Sequence, residues 1–264
     1  MPGQTNVWKY SEQRSLEMVS IVTVTYDSEE TIDRTMGSLV GQSSHHVEHL
    51  IMDGGSTDKT LEIVERYRNE YEQYGMALRV FSEKDQGPYD AMNKGIRIAT
   101  GDLVGILNSD DYYDPRAIET VEKLQSENDF DILMGAIRIH NGSSQIITKH
   151  AKNTHYQTSR HFNHPAMFVT RQCYHEVGEY KLGNVHADYG WYLKAVKMGK
   201  KILITDEVLT DFVIGGWSSR KSFRNTLDRI STKYAVYREN GYSRFYWFEC
   251  VAQEMGKFLL LKSN

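Results

Sequence analysis

Two adjacent carboxylates in a loop, within Asn108-Ser109-Asp110-Asp111, are the residues best placed to do chemistry in this 264-residue sequence. Hard oxygen ligands of this kind suit Mg2+ or Mn2+, which completes its shell with water and substrate phosphates. Neighbouring side chains of an extended segment point opposite ways, so one carboxylate is expected on the metal and the other on a ligand hydroxyl. Asp110, Asp111 and Asp114 could equally be turn and cap residues ahead of Pro115. In Asp53-Gly54-Gly55-Ser56-Thr57-Asp58, the glycines either let a planar base approach the backbone or simply supply positive φ in a turn that Asp58 closes as a helix cap. Lys84-Asp85-Gln86-Gly87-Pro88-Tyr89-Asp90-Ala91-Met92-Asn93-Lys94-Gly95 is denser in polar residues than a connection requires, although a helix start with Asn93 and Lys94 on a solvated face also accounts for it. Neither Gly-x-Gly-x-x-Gly nor Gly-x-x-x-x-Gly-Lys-Ser/Thr occurs, so hydride transfer and P-loop hydrolysis lose their usual sequence support.

The elements that must hold these residues alternate. The β-branched run at 19–25 predicts a buried strand, and Ser28 opens a helical pattern carrying Ile32, Met36, Leu39 and Val40. Strands at 47–52, 78–82 and 102–107 follow, with one helix after Asp58 and another from Pro88 to Ile98. Such alternation implies an α/β fold with a mostly parallel sheet covered on both faces, whose ligands lie beyond the carboxyl ends of the strands. The site is therefore sought at Tyr26, Asp53, Asp85 and Asp110. From Asp131 the rhythm changes: 132–140 and 145–150 flank Asn141-Gly142, a hairpin signal, so a small antiparallel element joins the sheet. Helices are expected at 171–177, 189–198 and 222–239, and a strand at 201–205. The division expected is an N-terminal polar segment at 1–18, a catalytic domain at 19–219 with halves at 19–115 and 116–219, and a C-terminal helical extension at 220–264.

Composition narrows the classes. With 31 basic and 35 acidic residues, a formal charge of −4, 40% hydrophobic and 25% charged residues, the chain reads as an ordinary globular protein, with no basic surface excess for nucleic acid. Two cysteines, Cys173 and Cys250, make neither a disulfide framework nor a cysteine zinc site. A polar N-terminus and the lack of ~18 consecutive apolar residues predict no signal peptide and no membrane span, hence a reducing, cytoplasmic setting.

Taken in order, Val22-Thr23-Val24-Thr25-Tyr26, the segment 53–58, Ser82-Glu83-Lys84-Asp85-Gln86-Gly87 through Gly95, and Asn108-Ser109-Asp110-Asp111 resemble family 2 glycosyltransferases of the GT-A fold. The resemblance spans about residues 19–217 and is strongest to bacterial enzymes of cell-surface polysaccharide synthesis, of the O-antigen and colanic-acid type. It implies inverting transfer of a sugar from a nucleotide-sugar, usually a UDP-sugar, to an acceptor hydroxyl of a glycan or lipid-linked precursor, with a divalent metal. It implies that Thr25, Tyr26 and Asp53 surround the base, with Asp53 accepting from a uracil-type N–H, and that Lys84 and Asp85 border the nucleotide. Asp110 would face the ribose or metal-bound water and Asp111 would bind the metal. The family's catalytic base falls on Asp188 in Ala187-Asp188-Tyr189-Gly190-Trp191; Ala187 departs from the commoner acidic neighbour, and a helix N-cap is the bland role for Asp188. Asn93, His164 in the segment 161–168, and Trp217 in Gly215-Gly216-Trp217-Ser218 are candidates for the sugar or acceptor side.

Histidine pairs His161/His164 and His45/His49 lack further ligands for zinc. Residues 220–264 hold nine Lys or Arg against four Asp or Glu, with Phe245, Phe248, Ala252, Met255 and Leu259 at helical spacing. That helix either packs on the catalytic domain or meets anionic lipid near a lipid-linked acceptor. Two rival readings remain: a sugar nucleotidyltransferase, whose glycine-rich first loop is missing after Thr25, and a catalytically silent glycan-binding or scaffold protein.

Overall fold

The computed structural model describes residues 18–140, 146–214 and 223–260. β1 (Val19–Thr25) is buried along its length, as expected of a near-continuous apolar run covered by helices on both faces. α1 (Ile32–Val40) lays Ile32, Met36 and Leu39 on the sheet. β2 (Val47–Asp53) leads into two consecutive short helices, α2 (Thr60–Arg66) and α3 (Arg68–Gln73), where one was expected. The interruption falls at Tyr67, whose hydroxyl turns to the Asp33 carbonyl of α1. After β3 (Ala77–Ser82), α4 (Pro88–Ile98) starts from Gly87 at φ 108° with Pro88 in its first turn. It packs so closely on β1 that a Cβ at Gly95 would lie 2.3 Å from Val22 Cγ1.

β4 (Leu103–Ile106), the two-residue β5 (Tyr112–Tyr113) and α5 (Ala117–Glu127) complete the first half. The second contains β6 (Ile132–His140), β7 (Ile146–Lys149), β8 (Met167–Thr170), α6 (Arg171–Val177), α7 (Ala187–Lys197), β9 (Ile202–Val213), α8 (Phe223–Glu239) and α9 (Tyr246–Leu260). The sheet order is β3-β2-β1-β4-β8-β6-β9-β5, with β7 on β6. β1 to β4 are mutually parallel and β9 is parallel to β6, while β8, β7 and β5 run against their neighbours, so the sheet is mostly parallel with antiparallel members. The Asn141-Gly142 turn lies outside the described residues, but the strands it joins pair antiparallel, His140 opposite Ile146.

β9 runs far beyond the expected 201–205. Thr205-Asp206-Glu207 reads as a strand end in sequence, yet it passes a register shift of β6 between Met134 and Ala136. Gly135 sits there, and a Cβ on it would stand 2.5 Å from Leu209 Cγ. The small residue lets the strand continue and bend.

Two apolar layers cover the sheet, one including Val22, Met52, Met92, Phe162, Tyr189 and Trp191, the other Ile21, Met36, Ile51, Val64, Ile118 and Phe168. The C-terminal helices pack on the first layer: the Tyr189 and Tyr237 hydroxyls lie 3.0 Å apart, and Tyr237 stacks on Tyr246. Of the expected apolar face, however, α9 turns only Met255 against the core. Cys250, Gln253 and Glu254 are buried, whereas Phe245, Phe248 and Leu259 are 68%, 64% and 74% exposed. Polar contacts set this orientation, Gln253 donating to Thr158 Oγ1 at 2.8 Å and Lys233 of α8 donating to Glu254 at 2.5 Å.

Candidate active site

Because β3, β2, β1 and β4 are parallel neighbours, their carboxyl ends open on one edge, and Thr25, Asp53 and Ser82 form a single row across three strands. The Asp53 carboxylate is turned into its own loop. It accepts from the Gly55 amide at 3.2 Å, from the Ser56 amide at 3.1 Å, and from the hydroxyls of Ser56 at 2.5 Å and Ser82 at 2.6 Å, and it is buried. What faces the slot above this loop is Asp85. A Cβ on Gly54 would lie 2.8 Å from Asp85 Oδ2 and 3.4 Å from the Tyr26 ring, so the missing side chain of Gly54 makes the space that both border. Asp85 is held by its other oxygen, which accepts from the Gly87 amide at 2.8 Å. Tyr26 is 62% exposed, beside Asp27, whose left-handed backbone (φ 44°) is fixed by bonds to Ser56 and Thr57. Thr25 Oγ1 is buried with no hydrogen-bond partner among the described residues, and Lys84 lies exposed on the rim.

The acidic pair divides by environment. Asp111 is fully buried: Oδ1 accepts from the Val213 amide of β9 at 3.0 Å and Asn108 donates to Oδ2 at 3.4 Å. Burial, and then the charge of Asp110, raise its carboxyl to about 8. Asp110 is only partly buried, its carboxyl raised by desolvation as well, and its backbone carbonyl accepts from Arg34 at 3.0 Å. Thr35 shares its hydroxyl between the Ser109 carbonyl at 3.0 Å and the Asp111 carbonyl at 2.7 Å, while Ser28 and Ser109 hydroxyls meet at 2.9 Å. The loop is thus clamped by α1 and by β9. Two hard carboxylates, both pushed towards the neutral form by burial and Asp111 also by the charge of Asp110, fit a divalent cation, which would relieve both effects. No group of three or more His, Cys, Asp or Glu side chains suited to a metal occurs among the described residues, so the rest of the shell would come from ligand and water.

Asp188 lies in the first turn of α7, not at its N-cap, which is His186. Tyr89, at the start of α4, donates to Asp188 Oδ1 at 3.0 Å and so ties the second half of the chain to the 84–90 segment. Burial, with the Asp188 charge, keeps the Tyr89 hydroxyl protonated. Asn93 does not face the site: its side-chain amide donates to the Tyr180 carbonyl at 2.9 Å and accepts from the Tyr180 amide at 2.8 Å, so both of its ends are spent on one backbone residue.

Against this geometry the chain was compared with known proteins. Residues 20–187 match the family described as Glycosyl transferase family 2, more than half of the sequence. The chain belongs to glycosyltransferase family 2. A poly(ribitol-phosphate) beta-glucosyltransferase of Bacillus spizizenii is 32% identical over 126 residues, 47% of this chain but 20% of that enzyme, so the chain spans only a fifth of it. A PGL/p-HBAD biosynthesis glycosyltransferase of Mycobacterium bovis is 27% identical over 67% of this chain and 69% of its own length. Among solved structures, S. aureus TarS 1–349 in complex with UDP-GlcNAc superposes with a TM-score of 0.67 at 19% identity, over 94% of this chain and 74% of that one. The mannosyltransferase PcManGT of Pyrobaculum calidifontis, in complex with GDP-Man and Mn2+, gives 0.65 at 16%, over 94% and 71%. These structural likenesses establish the GT-A fold.

In this family 2 glycosyltransferase, His164 is buried and its Nε2 lies 3.2 Å from the Tyr180 hydroxyl, with burial lowering its pKa. His49 bridges Tyr71 at 2.7 Å and Thr23 at 2.8 Å, and burial holds it neutral, at about 3. Trp217 and the 215–218 loop lie outside the described residues. A cavity lined by Asp102, Asn128, Asp131, Arg171 and His175, at the opposite end of β4, contains none of the predicted site residues. Sequence reasoning missed Arg34, Thr35 and the role of Tyr89. Arg34 and Thr35 lie on α1, more than 70 residues before the loop they hold. For Tyr89, its place just after the polar 84–88 run was the available signal.

Proposed function

We propose that this glycosyltransferase moves a sugar from a UDP-sugar to a hydroxyl of a glycan or lipid-linked acceptor in bacterial surface-polysaccharide synthesis, by a single inverting displacement that uses a divalent cation. The observation that carries the reading is the convergence of the Gly54 slot, the acidic pair and the Tyr89-bound Asp188 on one sheet edge. Tyr26 and the Gly54 backbone border a flat slot for the base. Asp85 Oδ2, not the fully engaged Asp53, accepts its N–H; Asp53 shapes the turn beneath.

Asp110, less buried, and Asp111, anchored by the Val213 amide, would together hold the metal, Mn2+ or Mg2+. A bound divalent ion would offset the negative charge that grows on the departing diphosphate. Asp188 takes the proton of the acceptor hydroxyl as that oxygen forms its bond to the anomeric carbon, and the diphosphate leaves with the electron pair of the bond that breaks. A positioned carboxylate contributes roughly 10²- to 10⁴-fold in such a step. Tyr89 occupies Oδ1, which leaves Oδ2 to receive the proton.

No described helix is long and apolar enough to cross a membrane. The outward Phe245, just before α9, and Phe248 and Leu259 on it, in a segment with nine basic and four acidic residues, support seating on an anionic leaflet beside a lipid-linked acceptor. Calorimetry with a panel of nucleotides and nucleotide-sugars, with and without Mn2+, on the wild type and Asp110→Ala tests the core of the reading. Metal-dependent UDP binding that weakens in the variant is expected. Absence of nucleotide binding by a folded sample, or binding without turnover across the donor panel, would overturn it.

A further inference from the structure

Lys149 is a cation in an unusual place. It ends β7, and its half-buried side chain makes one hydrogen bond, to the Phe162 carbonyl at 2.7 Å; it has no carboxylate partner among the described residues. Burying a charge without a counter-ion is costly, so buried lysines are normally paired. The surroundings do not supply the missing anion. Lys233 and Lys257 approach from α8 and α9, and both share the single carboxylate of Glu254, at 2.5 and 3.0 Å. Burial and then these two lysines pull the Lys149 ammonium down to about 8, with Asp188 acting in the opposite sense.

A second orphan points to the same place. His186, the N-cap of α7, has its Nε2 buried without a partner among the described residues, and it feels Lys233, Asp188, Glu254 and Lys257. The groups around Asp188 are thus three ammoniums, the Glu254 carboxylate and an unbonded imidazole nitrogen.

We propose that Lys149, with Lys257 and His186 Nε2, forms an acceptor subsite for a phosphate or diphosphate group placed next to Asp188. An oxyanion there receives the ammonium hydrogen bonds that the protein leaves unmade and neutralises the excess cationic charge. The acceptor class that follows is a hydroxyl compound bearing phosphate, either a lipid diphosphate-linked sugar or a phosphodiester-linked chain. This inference rests on the assignment of Asp188 to the acceptor side.

The test is calorimetry on the full chain saturated with UDP and Mn2+, so that the donor site is filled, titrated with geranyl diphosphate and separately with glycerol phosphate. Binding of one probe is expected, weakened about tenfold or more in Lys149→Gln and largely restored in Lys149→Arg. Preference for geranyl diphosphate assigns the anion to a lipid carrier; preference for glycerol phosphate assigns it to a polymer. If Lys149→Gln misfolds, Lys257→Gln on the exposed side of α9 is expected to weaken the same probe about threefold. Equal probe affinity in wild type and variants that still bind UDP overturns the subsite, as does failure of both probes to bind. Loss of UDP binding itself would count against the proposed function instead, which keeps the two failures apart.

Discussion

Replacing Asp111 by asparagine is expected to stabilise the metal-free protein, increasingly so as pH rises. The buried carboxyl titrates at about 8 against an ordinary 3.8, because desolvation and the neighbouring Asp110 disfavour its charge. A folded pKa above the unfolded one gives stability that is complete below the unfolded value, near 4, and is lost as pH climbs through about 8. At ~1.4 kcal/mol per pH unit the ceiling on that loss is about 6 kcal/mol, which relaxation and water entry reduce to a few. Asparagine keeps an oxygen for the Val213 amide, which lies 3.0 Å from Oδ1, and carries no charge. The assay is urea unfolding of wild type and Asp111→Asn in EDTA at pH 5.5 and 8.5. The difference in unfolding free energy between the two proteins should move by ~2 kcal/mol in favour of the variant at the higher pH. Saturating Mn2+ should reverse the wild-type deficit at pH 8.5, because a cation neutralises the pair. A variant destabilised equally at both pH values would refute the reasoning, since it would make Asp111 an ordinary buried hydrogen-bond acceptor.

Asp188→Asn is expected to retain UDP-sugar affinity by calorimetry while turnover falls by roughly 10²- to 10⁴-fold. Tyr89→Phe, which removes the 3.0 Å bond to Asp188, should lower kcat about tenfold with the donor Kd unchanged; a shift confined to donor affinity would place Tyr89 in the nucleotide site instead. Gly54→Ala puts a methyl 2.8 Å from Asp85 Oδ2 and should weaken UDP binding about tenfold without lowering the melting temperature appreciably. Glu254→Gln leaves Lys233 buried, its side chain 2% exposed, without its counter-ion, and thermal or urea unfolding should show a loss of about 3–5 kcal/mol. Although burial raises the Glu254 carboxyl, Lys233 and Lys257 outweigh it and hold the group at about 2, so its contribution is present above pH ~4.5 and fades as pH falls towards 2.

The amino-acid sequence determined the alternating βα half and the edge on which chemistry must lie, because a parallel sheet buried on both faces demands long apolar runs that end together. Residues 53–58, 84–90 and 108–111 were legible for that reason, as was the pairing of β6 with β7 from a two-residue turn signal. How the carboxylates share the work was not. Asp53 and Asp85 look alike in sequence, and only the folded turn shows one engaged by Ser56 and Ser82 and the other standing over Gly54. Asp111 was read as the metal ligand of the pair, but its burial was not legible: the short β5 pairs with β9 beside it, 102 residues separate Asp111 from Val213, and no local pattern announces that bond. Asn93, Lys149 and the outward apolar face of α9 follow the same rule. Their surroundings are assembled from distant segments through hydrogen bonds and charge pairs, interactions that leave no periodicity in the chain, whereas burial of apolar area does.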